Sequence, residues 1–246
     1  MTAMIRASMF LLLAALLPSQ QPAPKKAAQN PPFELPPGVE VERDIVYARY
    51  GSRELKLDLY RPASGDGPFP AVVYIHGGGW SGGNRNQFRP QAAYMATKGF
   101  VGATIEYRLS GEAAYPAAVH DSKAAVRWMR AHAAKYRIHP DKIGAAGGSA
   151  GGHLVSMLGT TAHLRQLEGD GGHAKLPSAV QAVAAFNPVL DLVTPAQNAG
   201  NASGPIQRFL GGPYEKMTEV YAQASPITHA GKRSAPHLFL HGTADA

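Results

Sequence analysis

The sequence contains no cysteine, which excludes a disulfide framework, a thiolate nucleophile and any cysteine-based zinc site. Covalent catalysis in this chain therefore needs another nucleophile. Charge is also sparse, at 17% of residues, with no block of like sign. The formal net charge is +7, but Arg6, Lys25 and Lys26 precede the first acidic residue, Glu34, so the remainder carries only +4. A surplus that small and scattered excludes a nucleic-acid partner. Apolar runs of membrane-spanning length are missing too: Met9 to Leu17 is too short for a stable anchor.

What is present suits one globular domain with a sizeable core: 246 residues, 45% of them apolar, with 27 glycines. Arg6, the apolar run and Pro18 make residues 1–17 a signal peptide, so a secreted or periplasmic protein is expected. Residues 18–38 hold Pro18, Pro22, Pro24, Pro31, Pro32, Pro36 and Pro37, which favour an extended linker over packed structure. Folding is expected to start near Val39.

From there, short β-branched runs alternate with amphipathic ones, the pattern of an α/β fold with a mostly parallel central sheet flanked by helices. Asp44 to Arg49 and Glu54 to Tyr60 read as an antiparallel pair turned at Gly51-Ser52. Strands are expected over 71–75, 100–106, 142–146, 179–186 and 237–240, and helices over 91–98 and 150–158. The strongest helical pattern covers 117–136, where Val119, Ala125, Val126, Met129, Ala133 and Tyr136 form a stripe opposite Lys123, Arg127 and Arg130. Residues 189–235, with four prolines, are either a lid insertion or a pair of surface helices.

Two motifs carry chemistry. Gly147-Gly148-Ser149-Ala150-Gly151 fits G-x-S-x-G between a strand and a helix, the context in which a serine hydroxyl is lifted above a sheet. Small neighbours are required because the strained turn brings strand and helix into contact. Before it, His76-Gly77-Gly78-Gly79-Trp80 directly follows the 71–75 strand. Acyl transfer concentrates negative charge on a former carbonyl oxygen, and glycines let backbone N–H groups approach that point. The expected donors are the amides of Gly78, Gly79 and Ala150. A phosphate-binding loop is excluded, since no lysine follows in the Walker arrangement and the spacing is not G-x-G-x-x-G. His76 precedes the donors and is expected to be structural, as is His153, one helical turn beyond Ser149.

These motifs, with Tyr107-Arg108-Leu109 and Tyr115-Pro116 to Trp128 between them, resemble the α/β-hydrolase fold. More narrowly, the chain from about Val41 is similar to carboxylesterases related to hormone-sensitive lipase and to bacterial feruloyl and acetyl-xylan esterase-like domains. The resemblance implies ester hydrolysis through an acyl-enzyme on Ser149, with no metal or organic cofactor and with a small ester or esterified carbohydrate as substrate. Relatives often carry an acidic residue just before the nucleophile, where this chain has Gly148. His241-Gly242-Thr243-Ala244-Asp245 looks like the family's acid-bearing turn, which makes Asp245 the expected triad carboxylate and Asp191 its competitor.

Triad order in this fold is serine, acid, histidine, yet only Ala246 follows Asp245. The expectation is a truncated esterase domain lacking the base, the final strand and the final helix, and hence inactive or nearly so; a genuine impaired remnant is the competing account. His241, at the end of the acid's own strand, is not expected to replace the base. Two other functions stay open: a serine peptidase of the same fold, and a non-catalytic binding module. The acyl group, the alcohol and the oligomeric state are not legible.

Overall fold

The computed structural model describes residues 33–198 and 204–243. The 1–17 leader, the 18–32 part of the linker and Asp245 lie outside the described residues. The strand pattern begins where the prolines stop: β1 (Val39–Tyr50) and β2 (Arg53–Pro62) form an antiparallel hairpin turned at Gly51-Ser52. Its alternating pattern buries Leu55, Leu57 and Leu59 on one side. The chain continues through β3 (Phe69–Ile75), α1 (Arg89–Thr97), β4 (Val101–Ile105), α2 (Ala117–Ala131) and α3 (Ala133–Tyr136). It then adds β5 (Ile138–Gly148), α4 (Ala150–Thr160), β6 (Val183–Phe186), α5 (Val193–Asn198), α6 (Gly204–Leu210), α7 (Tyr214–Ala224), α8 (Pro226–His229) and β7 (His237–Leu240).

The seven strands lie in the order β1-β2-β4-β3-β5-β6-β7. Only the β1/β2 and β2/β4 pairs are antiparallel; β4, β3, β5, β6 and β7 run parallel. This is the expected α/β fold, a mostly parallel sheet with helices on its faces. Parallel strands covered on both faces read as continuous apolar runs, and β4 is buried at every residue. The order reverses at β3, and the loops after β3 and β5, neighbours in the sheet, carry the two glycine motifs to the same end. A crevice beyond the carboxyl ends of such strands is where open α/β sheets bind ligands.

Strand β6 and the 117–136 helix differ from the sequence expectation. Strand β6 starts at Val183 rather than 179; the carbonyls of Pro177 and Ala179, upstream of it, accept from Arg130. The 117–136 helix breaks at His132 (φ −102°, ψ 16°) and ends on Arg137 in the left-handed region. Its charged face is also no solvent face: Lys123 and Arg127 are buried. Segment 161–178 folds over them, and Glu168 bridges both cations at 2.8 Å while accepting the Ser178 hydroxyl at 2.7 Å.

That bridge yields a stability prediction. Burial pushes the Lys123 ammonium below its ordinary value, with Glu168 only partly offsetting it. Burial raises the Glu168 carboxyl, but bonds from Lys123 and Ser178 and the charge of Arg127 outweigh that and hold it low. A carboxyl held low stabilises the fold above its unfolded pKa, and that share is lost as pH falls through the folded value. Glu168→Gln leaves two buried cations without a counter-charge, so urea unfolding is expected to show a loss of roughly 3 kcal/mol. The variant should also lose less stability than wild type between neutral and acidic pH; equal losses would mean that Glu168 does not carry the effect.

At the far edge, Leu238, Phe239 and Leu240 of β7 are exposed. Beside them, a hollow of about 630 Å³ on the sheet face is walled by Val72, Tyr74, Tyr94 and Leu238. Its lining is apolar and lacks Ser149.

Candidate active site

Ser149 stands between the last residue of β5 and the first of α4, with φ 53° and ψ −119°. That region is sparsely populated for a residue with a side chain and costs on the order of 1–3 kcal/mol, so packing must enforce it. Here the glycines of the motif become physical requirements. A Cβ on Gly151 would fall 2.1 Å from the Ile75 carbonyl oxygen, and one on Gly147 would fall 2.5 Å from the Gly151 oxygen. Strand β3, strand β5 and helix α4 thus touch backbone to backbone, and the Ser149 amide donates to the Phe186 carbonyl at 2.9 Å. The side chain is half-buried.

The glycine loop after β3 lies against this turn: a Cβ on Gly77 would meet the Gly148 oxygen at 2.8 Å and Ser149 Cβ at 3.4 Å. Gly77 is fixed by donating its N–H to Gln87 Oε1 at 2.6 Å. Gln87 sits on the 3₁₀ turn Arg85–Phe88, which Arg85 anchors through Asp58, Asp44 and Glu106. Past Gly77 the backbone enters the positive-φ region at Gly78 (119°), Gly79 (58°) and Trp80 (55°). The amides of Gly78 and Gly79 have no hydrogen-bond partner among the described residues. Ala150 opens α4, where a first-turn N–H has no partner within the helix. Gly77 thus packs on Ser149, with Gly78 and Gly79 following it in the same loop and Ala150 following Ser149 at the start of α4.

Two of the nearby histidines, His76 and His153, are held in other contacts. His76 is buried, stacked on Tyr107 at 4.4 Å, and its Nδ1 faces the Gly77 carbonyl at 2.8 Å, so that nitrogen carries the proton. His153 is buried on α4, where its Nδ1 accepts the Trp80 indole N–H at 3.2 Å and its Nε2 donates to the Ala224 carbonyl at 2.7 Å. Burial lowers its pKa to about 4, the Ala224 bond only partly opposing this. The ring is therefore neutral, with its proton on Nε2.

A cavity of about 410 Å³ opens at Ser149, walled by Asn187, Val189, Asp191 and His241. Asp191, the competitor for the acid, caps α5: its Oδ1 accepts the amides of Val193 at 2.8 Å and Thr194 at 3.1 Å. Its burial would raise the carboxyl, but those bonds hold it below the ordinary value. The described parts of the 189–235 stretch form α5 to α8, and α6 lies over the glycine loop, Pro205 Cβ lying 3.5 Å from where a Gly79 Cβ would be. Phe209 from α6 stacks on Trp80 at 4.5 Å and 9°. Sequence reasoning missed Trp80 and Phe209 as site residues; Trp80 directly after the third glycine was the available signal.

Residues 57–246 match the family described as BD-FAE. The chain belongs to the BD-FAE family. It is also similar to the probable carboxylic ester hydrolase LipM of Mycobacterium tuberculosis, at 33% identity over 82% of this chain and 48% of LipM. The chain thus spans about half the length of the curated relatives it matches. Among solved structures, a bifunctional GH43-CE protein of Bacteroides eggerthii superposes with a TM-score of 0.76 at 33% identity, over 84% of this chain and 31% of that one. Thermogutta terrifontis esterase 2, captured phosphorylated by paraoxon, superposes at 0.65 with 34% identity, over 87% of this chain and 74% of that one. The BD-FAE match begins within β2 and takes in both glycine motifs.

Proposed function

We propose that the chain is the body of an exported carboxylic-ester hydrolase that forms an acyl-enzyme on Ser149 and acts on acetyl or feruloyl esters of polysaccharides. The observation that carries the reading is the juxtaposition of a strained serine and unpartnered amides: Ser149 at φ 53° faces a loop whose Gly78 and Gly79 N–H groups are unused among the described residues. In the proposed reaction Ser149 Oγ attacks the ester carbonyl. The oxygen that gains charge is held by the amides of Gly78, Gly79 and Ala150, each donor worth about 3–4 kcal/mol at the transition state. The alcohol leaves with a proton, and water then releases the acid and restores the serine. BD-FAE membership and the GH43-CE likeness support an esterified carbohydrate as substrate. Arg6 and the Met9 to Leu17 run support export.

The triad needs a base, with Asp245 as the carboxylate that orients it. His76 and His153 are committed elsewhere, and His241 lines the Ser149 cavity. The reading keeps His241 as a cavity wall. On it, His241 takes no proton from Ser149. His241→Ala is then expected to change nitrophenyl acetate turnover by less than about 10-fold, whereas a loss of about 10³-fold would make His241 the base. The test of the function is a panel of acetylated xylo-oligosaccharide, methyl ferulate, nitrophenyl acetate and a peptide nitroanilide. Ester turnover that stops in Ser149→Ala is expected; cleavage of the amide alone would point to a peptidase, and capture of a sugar without turnover to a binding module.

A further inference from the structure

The run of positive φ at Gly78, Gly79 and Trp80 poses a physical problem. Two glycines adopt it freely, but a tryptophan at φ 55° is strained and stays there only if its surroundings demand it. Those surroundings are unusually complete. Trp80 is 3% exposed, its carbonyl accepts the Ser110 amide at 2.8 Å, and its ring lies flat on Phe209. Its indole N–H, a group that can only donate, meets the unprotonated Nδ1 of His153. His153 stands one turn into α4, its own amide bonded to the Ser149 carbonyl at 2.9 Å. Its other ring nitrogen, Nε2, donates to the carbonyl of Ala224 at the end of α7.

The bond therefore joins the two halves of the site directly: the loop that presents Gly78 and Gly79, and the helix that begins at the nucleophile. We propose that His153 and Trp80 are positioning residues, Trp80 donating its indole N–H to His153 so that the oxyanion loop is held in register with Ser149. Neither touches substrate. The role in catalysis rests on the ester-hydrolase reading, but the restraint on the loop does not. Ala224 and Phe209 extend it to the 189–235 insertion, so the roof of the site and the loop below it move as one body.

The two hydrogen bonds of His153 are separable by substitution. Asparagine places an acceptor near the Nδ1 position and so preserves the bond from Trp80. Glutamine places a donor near the Nε2 position, preserving the bond to Ala224 but leaving the indole N–H unpaired. Trp80→Phe removes the donor and keeps an aromatic ring on Phe209. The experiment measures amide order parameters of Gly78 and Gly79 by NMR, together with the rate at which a fluorophosphonate labels Ser149. Wild type and His153→Asn are expected to hold both amides near the rigid value of about 0.85, with His153→Gln and Trp80→Phe falling toward about 0.6. Labelling should slow by about 10- to 100-fold in His153→Gln and Trp80→Phe, the scale of an ångström of misplacement, while His153→Asn stays within about 3-fold of wild type.

Unchanged Gly78 and Gly79 order parameters in both Trp80→Phe and His153→Gln would overturn the proposal. So would a His153→Asn variant as mobile as His153→Gln, since a merely structural histidine gives no such rescue. If the order parameters divide as expected but the phosphonyl group is found on a residue other than Ser149, the positioning role stands and the ester-hydrolase reading falls.

Discussion

Ser149→Ala is expected to abolish covalent labelling by an organophosphate completely while leaving the unfolding midpoint almost unmoved. The two results belong together. The Ser149 side chain makes no hydrogen bond among the described residues, and alanine meets the same backbone strain at φ 53°. Removing the oxygen therefore takes away the nucleophile and little else, with a stability change within about 0.5 kcal/mol. In a working triad the same change costs on the order of 10⁶ in turnover, because serine and base act as a unit. Labelling over hours is the more sensitive readout, since a phosphoryl group stays on the serine oxygen after a single event. Mass spectrometry of the peptide holding residue 149 would show it. Label on any other serine in the variant would place the reactive hydroxyl elsewhere.

Those features of the site that depend on local chain geometry were legible from the sequence. The hairpin turned at Gly51-Ser52 follows from alternating residues, and Ala71 to Ile75 reads as a strand because five apolar residues must be covered on both faces. The serine on its turn and the three glycines after β3 follow from what a tight turn and a close backbone approach require. The contacts between distant segments were not legible. Lys123 and Arg127 look like a solvent face until Glu168, more than 40 positions away, is brought over them. The Trp80–His153 bond spans 73 positions, and no periodicity encodes a donor and acceptor so far apart. The break at His132 turns on one residue's φ and ψ, beneath the resolution of a helical stripe. The 189–235 stretch read equally well as lid or surface helices because its prolines divide it without saying where the pieces dock; the structure packs Pro205 and Phe209 of α6 on the glycine loop.

Gly151→Ala tests whether the serine turn is a built device, and its expected effect on stability is the largest of any single methyl in the site. The nearest atoms to the added Cβ are the Ile75 oxygen at 2.1 Å, the His76 oxygen at 2.7 Å and the Ile75 carbon at 2.7 Å. All are backbone, so no rotamer change relieves the clash. Ile75 is also fixed from both sides, paired with Ile105 of β4 and Gly147 of β5. The only escape is for α4 to retreat from the end of β3. Such overpacking against a rigid sheet is expected to cost more than about 4 kcal/mol, read as a shift in the urea midpoint. Any molecules that still fold carry Ser149 away from the loop at Gly77, so labelling of the folded fraction should fall by about 100-fold, the cost of an ångström of misplacement. Gly111→Ala is the control, because its Cβ meets nothing within 4 Å, and it should stay within about 0.5 kcal/mol of wild type. A serine that merely happened to sit in a glycine-rich loop would tolerate the methyl at 151 as readily as at 111. If the two variants unfold together, the contact between α4 and β3 is not what raises the hydroxyl.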